Sequence, residues 1–220
     1  TFTKILDFAK TKPNLGIIGV KLIDGAGNFL PESKRGLPTP KVAFFKMTGL
    51  ANLFPKSKYF GRYHMKYLNE NETHEVDVLS GAFMMMRNSV LQKVGLLDEA
   101  FFMYGEDIDL SYKVLKAGYD NYYYGLAKVI HFKGESTLRD KLYAKRFYGS
   151  MQIFYGKHFK KNILFSFLVG LGIKVVYFFR KMPVVQNKSI EQYFLISDKM
   201  NQDLLKKLNK QVFLKFDLNE

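Results

Sequence analysis

Three carboxylates fall within four consecutive positions, Glu106-Asp107-Ile108-Asp109, directly after Gly105. The chain around them is basic, with 34 Lys and Arg against 20 Asp and Glu and a formal net charge of +14. Two readings compete. A helix N-terminus favours negative charge, so Glu106 or Asp107 can serve simply as a cap. Taken alone, the spacing favours the cap. The chemical reading is a positioned carboxylate that removes a proton from an attacking hydroxyl. Phe101, Phe102 and Tyr104 precede the cluster. They supply an apolar wall on which a ring stacks, or they are ordinary core.

The second constellation is His131-Phe132-Lys133-Gly134-Glu135-Ser136, at the end of an apolar run. His131 is placed there to reach the edge of a site. It can complete an oxygen-rich divalent-metal shell or touch a diphosphate. The chain has no Cys. A metal would therefore need oxygen or imidazole ligands, and disulfides are excluded.

These groups need a scaffold, and the pattern supplies one. Residues 5–9 read as a short amphipathic helix stopped by Pro13 and Asn14. Leu15 to Val20 reads as a buried strand, and Asp24 to Asn28 as a turn inside a hairpin. Residues 31–75 read as a long irregular loop with short helical pieces near Lys41 to Leu53. Loops of that length in a compact domain are functional or mobile. Val76 to Met86 reads as one strand, with Gly81 at a close backbone approach. A helix from Val90 to Val94 capped by Asn88 or Ser89, a helix from Asp107 to Ala117, and strands at 121–124 and 128–132 follow. From Thr137 the pattern turns helical, with Leu138, Leu142, Phe147, Met151, Phe154 and Tyr155 on one face. The class implied is α/β with a helical extension.

Residues 163–179 are strongly apolar, contain Lys174 and are flanked by Lys160, Lys161, Arg180 and Lys181. That is short for a span, and a buried lysine is costly at bilayer depth. An interfacial helix or a core helix fits better. The N-terminus lacks a signal peptide's apolar stretch and has no initiator Met, so the chain is expected to be part of something longer.

The motifs also come in a telling order. Val78-Leu79-Ser80-Gly81-Ala82-Phe83 is followed by Arg87, Val94-Gly95-Leu96-Leu97-Asp98-Glu99, Phe102 to Leu110, Ala117-Gly118-Tyr119 and Val129-Ile130-His131. This order resembles the C-terminal half of bacterial family 2 glycosyltransferases, near the rhamnosyltransferase-like group, over roughly residues 1–158. The resemblance implies the acceptor-side part of a GT-A fold with a mixed sheet, followed by a helical extension over 159–220. It implies a nucleotide-sugar donor, a saccharide or lipid-linked acceptor, and a divalent cation, Mg²⁺ or Mn²⁺. Asp107 matches the catalytic base. Gly81, Ala82, Tyr104, Glu106 and Asp109 match positions beside donor sugar and acceptor. His131 matches a histidine near the metal or diphosphate. The family's nucleotide-binding half and its Asp-x-Asp metal motif would precede Thr1, so these 220 residues are expected to be inactive alone. A cytoplasmic location, at the inner face of the inner membrane, and self-association through exposed sheet surface are further expectations.

The competing class is a non-catalytic basic module for nucleic acid or anionic membrane, suggested by the net charge. Nucleic acid is disfavoured because the cations are scattered and no reading motif is present.

Overall fold

A computed structural model of the chain describes residues 2–132, 141–159, 192–196 and 211–215. Two compact units divide it, Thr1–Met182 and Pro183–Glu220.

The first unit is built on strand β1 (Leu15–Ile23), which is buried along nearly its whole length. A strand reads as a continuous apolar run when strands flank it and helices cover both faces. Here β6 (Asp120–Ile130) pairs with it in parallel and β5 (Met85–Met86) antiparallel. β3 (Thr73–Glu75) adds to the far edge of β6, giving the mixed order β3-β6-β1-β5. Helix α1 (Phe2–Lys10) lays Ile5 and Ala9 against one side of this sheet, with Leu15, Ile18 and Leu22. Helices α4 (Asn88–Val94) and α5 (Glu106–Lys116) lay Val90, Leu110 and Val114 against Ile17 and Tyr123 on the other. α5 can lie so close because Gly16 has no Cβ; one added there would collide with Val114 Cγ1.

The long segment after β1 is organised by short elements. β2 (Lys34–Arg35) pairs with β4 (Val78–Leu79) in a separate two-stranded ribbon. α2 (Pro40–Met47) starts at Thr39, whose hydroxyl accepts from Val42 N, and α3 (Leu50–Leu53) follows. Pro40 at the first helical turn costs no hydrogen bond. Helix α6 (Lys141–His158) sends Phe154, fully buried, into a cluster with Val78, Phe101 and Ile108.

Four expectations are revised. Val76 to Met86 is not one strand. Its first half pairs with β2 and its second with β1, and the chain turns at Ser80–Phe83, where Phe83 N donates to Ser80 O. The predicted strands at 121–124 and 128–132 are one strand. β6 runs through Gly125 with an irregular step, Val20 facing Tyr124 and Lys21 facing Lys128. Gly125 is required there because a side chain would strike the backbone of Asn71 and Glu72. The 24–28 turn closes on a single antiparallel bridge, Ile23 to Phe29, rather than a full hairpin. Arg87, not Asn88 or Ser89, occupies the cap position of α4.

The helical extension over 159–220 is also revised where it is described. In the second unit β7 (Gln192–Ile196) and β8 (Gln211–Lys215) are strands that pair in parallel. Both are short runs of aromatic and branched apolar residues, a composition suited to a pleated surface. The two compact units meet at Met182/Pro183. The apolar stretch 163–179 lies outside the described residues.

Asn121 joins the layers. Its Oδ1 accepts from Ile17 N at 3.2 Å, and its Nδ2 donates to Asp77 O and Ser111 O at 3.0 and 3.1 Å. Replacing it by Ala strands three buried backbone groups. We expect Asn121→Ala to lose about 2–4 kcal/mol in urea unfolding, and Asn14→Ala, an exposed site, under about 1 kcal/mol.

Candidate active site

The acidic cluster is aimed by backbone conformation. Met103 and Gly105 both take positive φ, 75° and 90°, just before α5 begins. A non-glycine residue at positive φ is strained and persists only when its surroundings hold it. Gly105 is the N-cap of α5 and makes no side-chain cap bond. Neither Glu106 nor Asp107 caps the helix, so the cap reading fails. Both lie in its first turn, where the dipole favours their charge.

Asp107 points at the β2–β4 ribbon. Its Oδ2 accepts from Arg35 Nη2 at 2.5 Å and from Gly81 N at 3.2 Å. The two side chains are 11% and 15% exposed, so the pair is largely withdrawn from water yet reachable. Gly81 adjoins the cluster at ordinary contact distance: a Cβ there would stand 3.4 Å from Asp107 Cβ and 4.0 Å from Glu106 Oε1. Ala82 follows on the same exposed turn. Glu106 Oε2 is buried with no hydrogen-bond partner among the described residues. Burial raises its pKa, and the neighbouring Asp107 adds to the rise.

Arg35 went unnoticed in sequence. It also donates to Leu79 O at 3.0 Å and interacts with Tyr63. Burial opposes its charge, but Asp107 and Tyr63 together outweigh burial and its pKa rises. Burial pushes the Tyr63 phenol up, while Lys46 and Arg35 pull it down further, for a net lowering. Lys46 Nζ stands 3.3 Å from the Tyr63 ring centre. The only available signal for Arg35 was a Lys-Arg pair fixed between Pro31 and Pro38.

The remaining predicted residues separate. Asp109 is turned away from the cluster and buried. Its Oδ1 lies 2.5 Å from His158 Nε2 and its Oδ2 3.5 Å from Lys113 Nζ. It clamps α5 to α6 and is not offered to a ligand, because position 109 is two residues, over half a turn, past Asp107. Tyr104 packs edge-on with Phe147, ring centres 6.3 Å apart. His131 sits where β6 meets the 24–28 turn. Its N donates to Ile23 O at 2.8 Å, and neighbouring Phe132 lies over Gly25.

Among the described residues no group of three or more His, Cys, Asp or Glu converges to hold a metal. Asp107 is already neutralised by a guanidinium. The described residues therefore do not by themselves complete a divalent-cation site. Among the described residues no helix is long and apolar enough to cross a membrane.

This geometry accords with comparisons to known proteins. Residues 29–147 match Glycosyltransferase like family 2, and the chain belongs to that family. It is 34% identical over 136 residues to N-acetylglucosaminyl-diphospho-decaprenol L-rhamnosyltransferase of Mycobacterium tuberculosis, covering 62% of this chain and 43% of that protein. It is 31% identical over 100 residues to the low-salt glycan biosynthesis hexosyltransferase Agl10 of Haloferax volcanii, covering 46% of this chain and 27% of that protein. The chain thus spans less than half the length of these relatives. No solved structure matches. The mixed α/β sheet is consistent with a GT-A type domain.

His64 gives the neighbourhood a pH signature. Its Nδ1 is buried without a hydrogen-bond partner among the described residues, and burial, then Lys46 and Lys66, lower its pKa from 6.5 to about 4. The folded state thus binds this proton later than the unfolded state as pH falls. The stability it carries is complete above pH 6.5 and drains away toward pH 4. We expect urea midpoints to fall across that window by the equivalent of at most about 3 kcal/mol. His64→Asn should flatten this fall.

Proposed function

We propose that this chain is the acceptor-side part of a glycosyltransferase that moves a sugar from a nucleotide-sugar donor to an acceptor hydroxyl with inversion. The observation that carries the reading is the seat of Asp107. One carboxylate oxygen is fixed by Arg35 and the Gly81 N–H, at a helix N-terminus whose first turn remains partly open.

The chemistry follows from that seat. The acceptor oxygen attacks the anomeric carbon from the face opposite the leaving diphosphate. As the new C–O bond forms, the hydroxyl proton passes to Asp107, and the bond to the diphosphate breaks. A base held in one orientation lowers the entropic part of the barrier. Glu106, beside it and in part desolvated, is suited to hydrogen-bond an acceptor hydroxyl. Gly81 and Ala82 offer a turn with no bulky side chain for the sugar to approach. Tyr104 supplies an aromatic surface beside the cluster.

His131, at the end of β6, is one imidazole, and one such ligand does not by itself hold Mg²⁺ or Mn²⁺. Donor binding is assigned to the portion of the relatives that this chain does not match, and the 220 residues alone are expected to show no turnover. The acceptor is a saccharide or a lipid-linked saccharide, as the name of the mycobacterial relative suggests. Work on such an acceptor suits the cytoplasmic face of a membrane.

Asp107→Asn, placed in the protein as its gene encodes it, is expected to lower kcat by about 10²–10⁴ with little change in KM, read by transfer of labelled sugar. Glu106→Gln should raise the acceptor KM more than it lowers kcat. Unchanged transfer in Asp107→Asn would remove the assignment.

A further inference from the structure

Between Glu32 and Glu70 the chain contains no Asp or Glu, while Lys41, Lys46, Lys56, Lys58 and Lys66 fall inside that interval; Arg62, also within it, is paired with Asp77. Like charges crowded this way repel one another unless a counter-charge arrives from outside. The same interval carries α2, α3 and the turn after them, and their outer surface is apolar. Phe44 is 58% exposed, Leu53 69%, Phe54 47% and Tyr59 53%.

These side chains form one patch. Phe45 is their buried centre, with ring centres 6.1 Å from Phe44, 5.1 Å from Tyr59 and 4.9 Å from Phe60, and Phe60 lies 5.4 Å from Phe54. Lys41 Nζ stands 3.9 Å from the Tyr59 ring centre, which sets a cation at the rim. Large exposed apolar patches mark interaction sites. A second exposed apolar group at Leu96, Leu97 and Phe102 has mixed charge beside it, with Asp98 paired to Lys157, Glu99 next to it and Arg146 over the Phe102 ring.

We propose that the α2–α3 face docks on an anionic phospholipid bilayer. The apolar side chains enter the boundary between headgroups and acyl chains, and the lysines meet lipid phosphates. Charge complementarity selects this occupant: an acid-free cationic segment attracts an anionic surface, and such attraction grows with each added Lys or Arg. The face is tied to the site through Lys46, Tyr63 and Arg35, which reaches Asp107. Docking there holds the acidic cluster near the headgroup layer.

The test is flotation of the 220-residue chain with vesicles of dioleoylphosphatidylglycerol and dioleoylphosphatidylcholine, against vesicles of the neutral lipid alone. We expect binding to the anionic vesicles only, weakening as salt is raised. Phe44→Ser/Leu53→Ser/Phe54→Ser, and separately Lys41→Glu/Lys56→Glu/Lys58→Glu, should each cut the bound fraction at least about tenfold. All substituted positions are surface-exposed, and circular dichroism checks that the fold persists. Equal binding by either variant overturns the proposal, and so does equal binding to neutral vesicles. Loss of a dimer in light scattering, with flotation unchanged, assigns the patch to a second copy and also overturns it. Flotation does not depend on Asp107, so its failure leaves the transfer reading standing, and the reverse holds.

Discussion

A guanidinium and a carboxylate 2.5 Å apart, both mostly shielded from water, are expensive to assemble. Taking each ion out of water costs several kcal/mol, and their attraction recovers this only with good geometry and further hydrogen bonds. The further bonds are present: Leu79 O accepts from Arg35 and Gly81 N donates to Asp107. Removing either partner strands the other, at a cost of about 3–5 kcal/mol. The carboxylate's direction is thereby over-determined. Both of its bonds land on Oδ2.

That geometry depends on parts distant in sequence. The ribbon of β2 and β4 brings Arg35 and Gly81 to one place, because Lys34 faces Leu79 and Arg35 faces Val78. Lys34 anchors the ribbon from inside. It is buried, and its Nζ donates to Met65 O at 2.8 Å and Leu68 O at 3.1 Å. Burial drags its pKa down to about 8, the mark of a cation kept for structure. α5 is fixed from the other side. Asp109 meets His158 on α6, and Ser111 O accepts from Asn121. A helix held along its length by such contacts can present its first turn without drift.

Local pattern was enough for the elements of this scaffold that depend on neighbours in sequence. β1 was legible as an uninterrupted apolar run, and α5 as a periodic one ending at Gly118, which indeed takes φ of 87°. The failures have one cause. Whether β6 breaks at Gly125 depends on the loop at 70–72 that presses against it. Whether Val76 to Met86 is one strand depends on which two strands pair with it. Asp109 was read as a residue beside the substrate, and its partner His158 comes from α6, 49 residues away. Arg35 lies 72 residues from its partner, and nothing local marks a long-range ion pair.

The net charge of +14 acquires a structure of its own once burial is considered. Lys21 and Lys34 lie inside, and each has oxygen partners, Glu70 and Asn71 for the first and main-chain carbonyls for the second. Arg35 is balanced by Asp107. These cations hold the fold and add little to the outer field. Lys41, Lys56 and Lys58 are exposed on an acid-free segment beside apolar rings, and their charges add to one another. Within this segment the cations are sorted by position: Arg35 sets the direction of one carboxylate, and the exposed lysines add their charges over one face. Lys46 lies between the two, since its ammonium stands on the Tyr63 ring, and Tyr63 in turn interacts with Arg35.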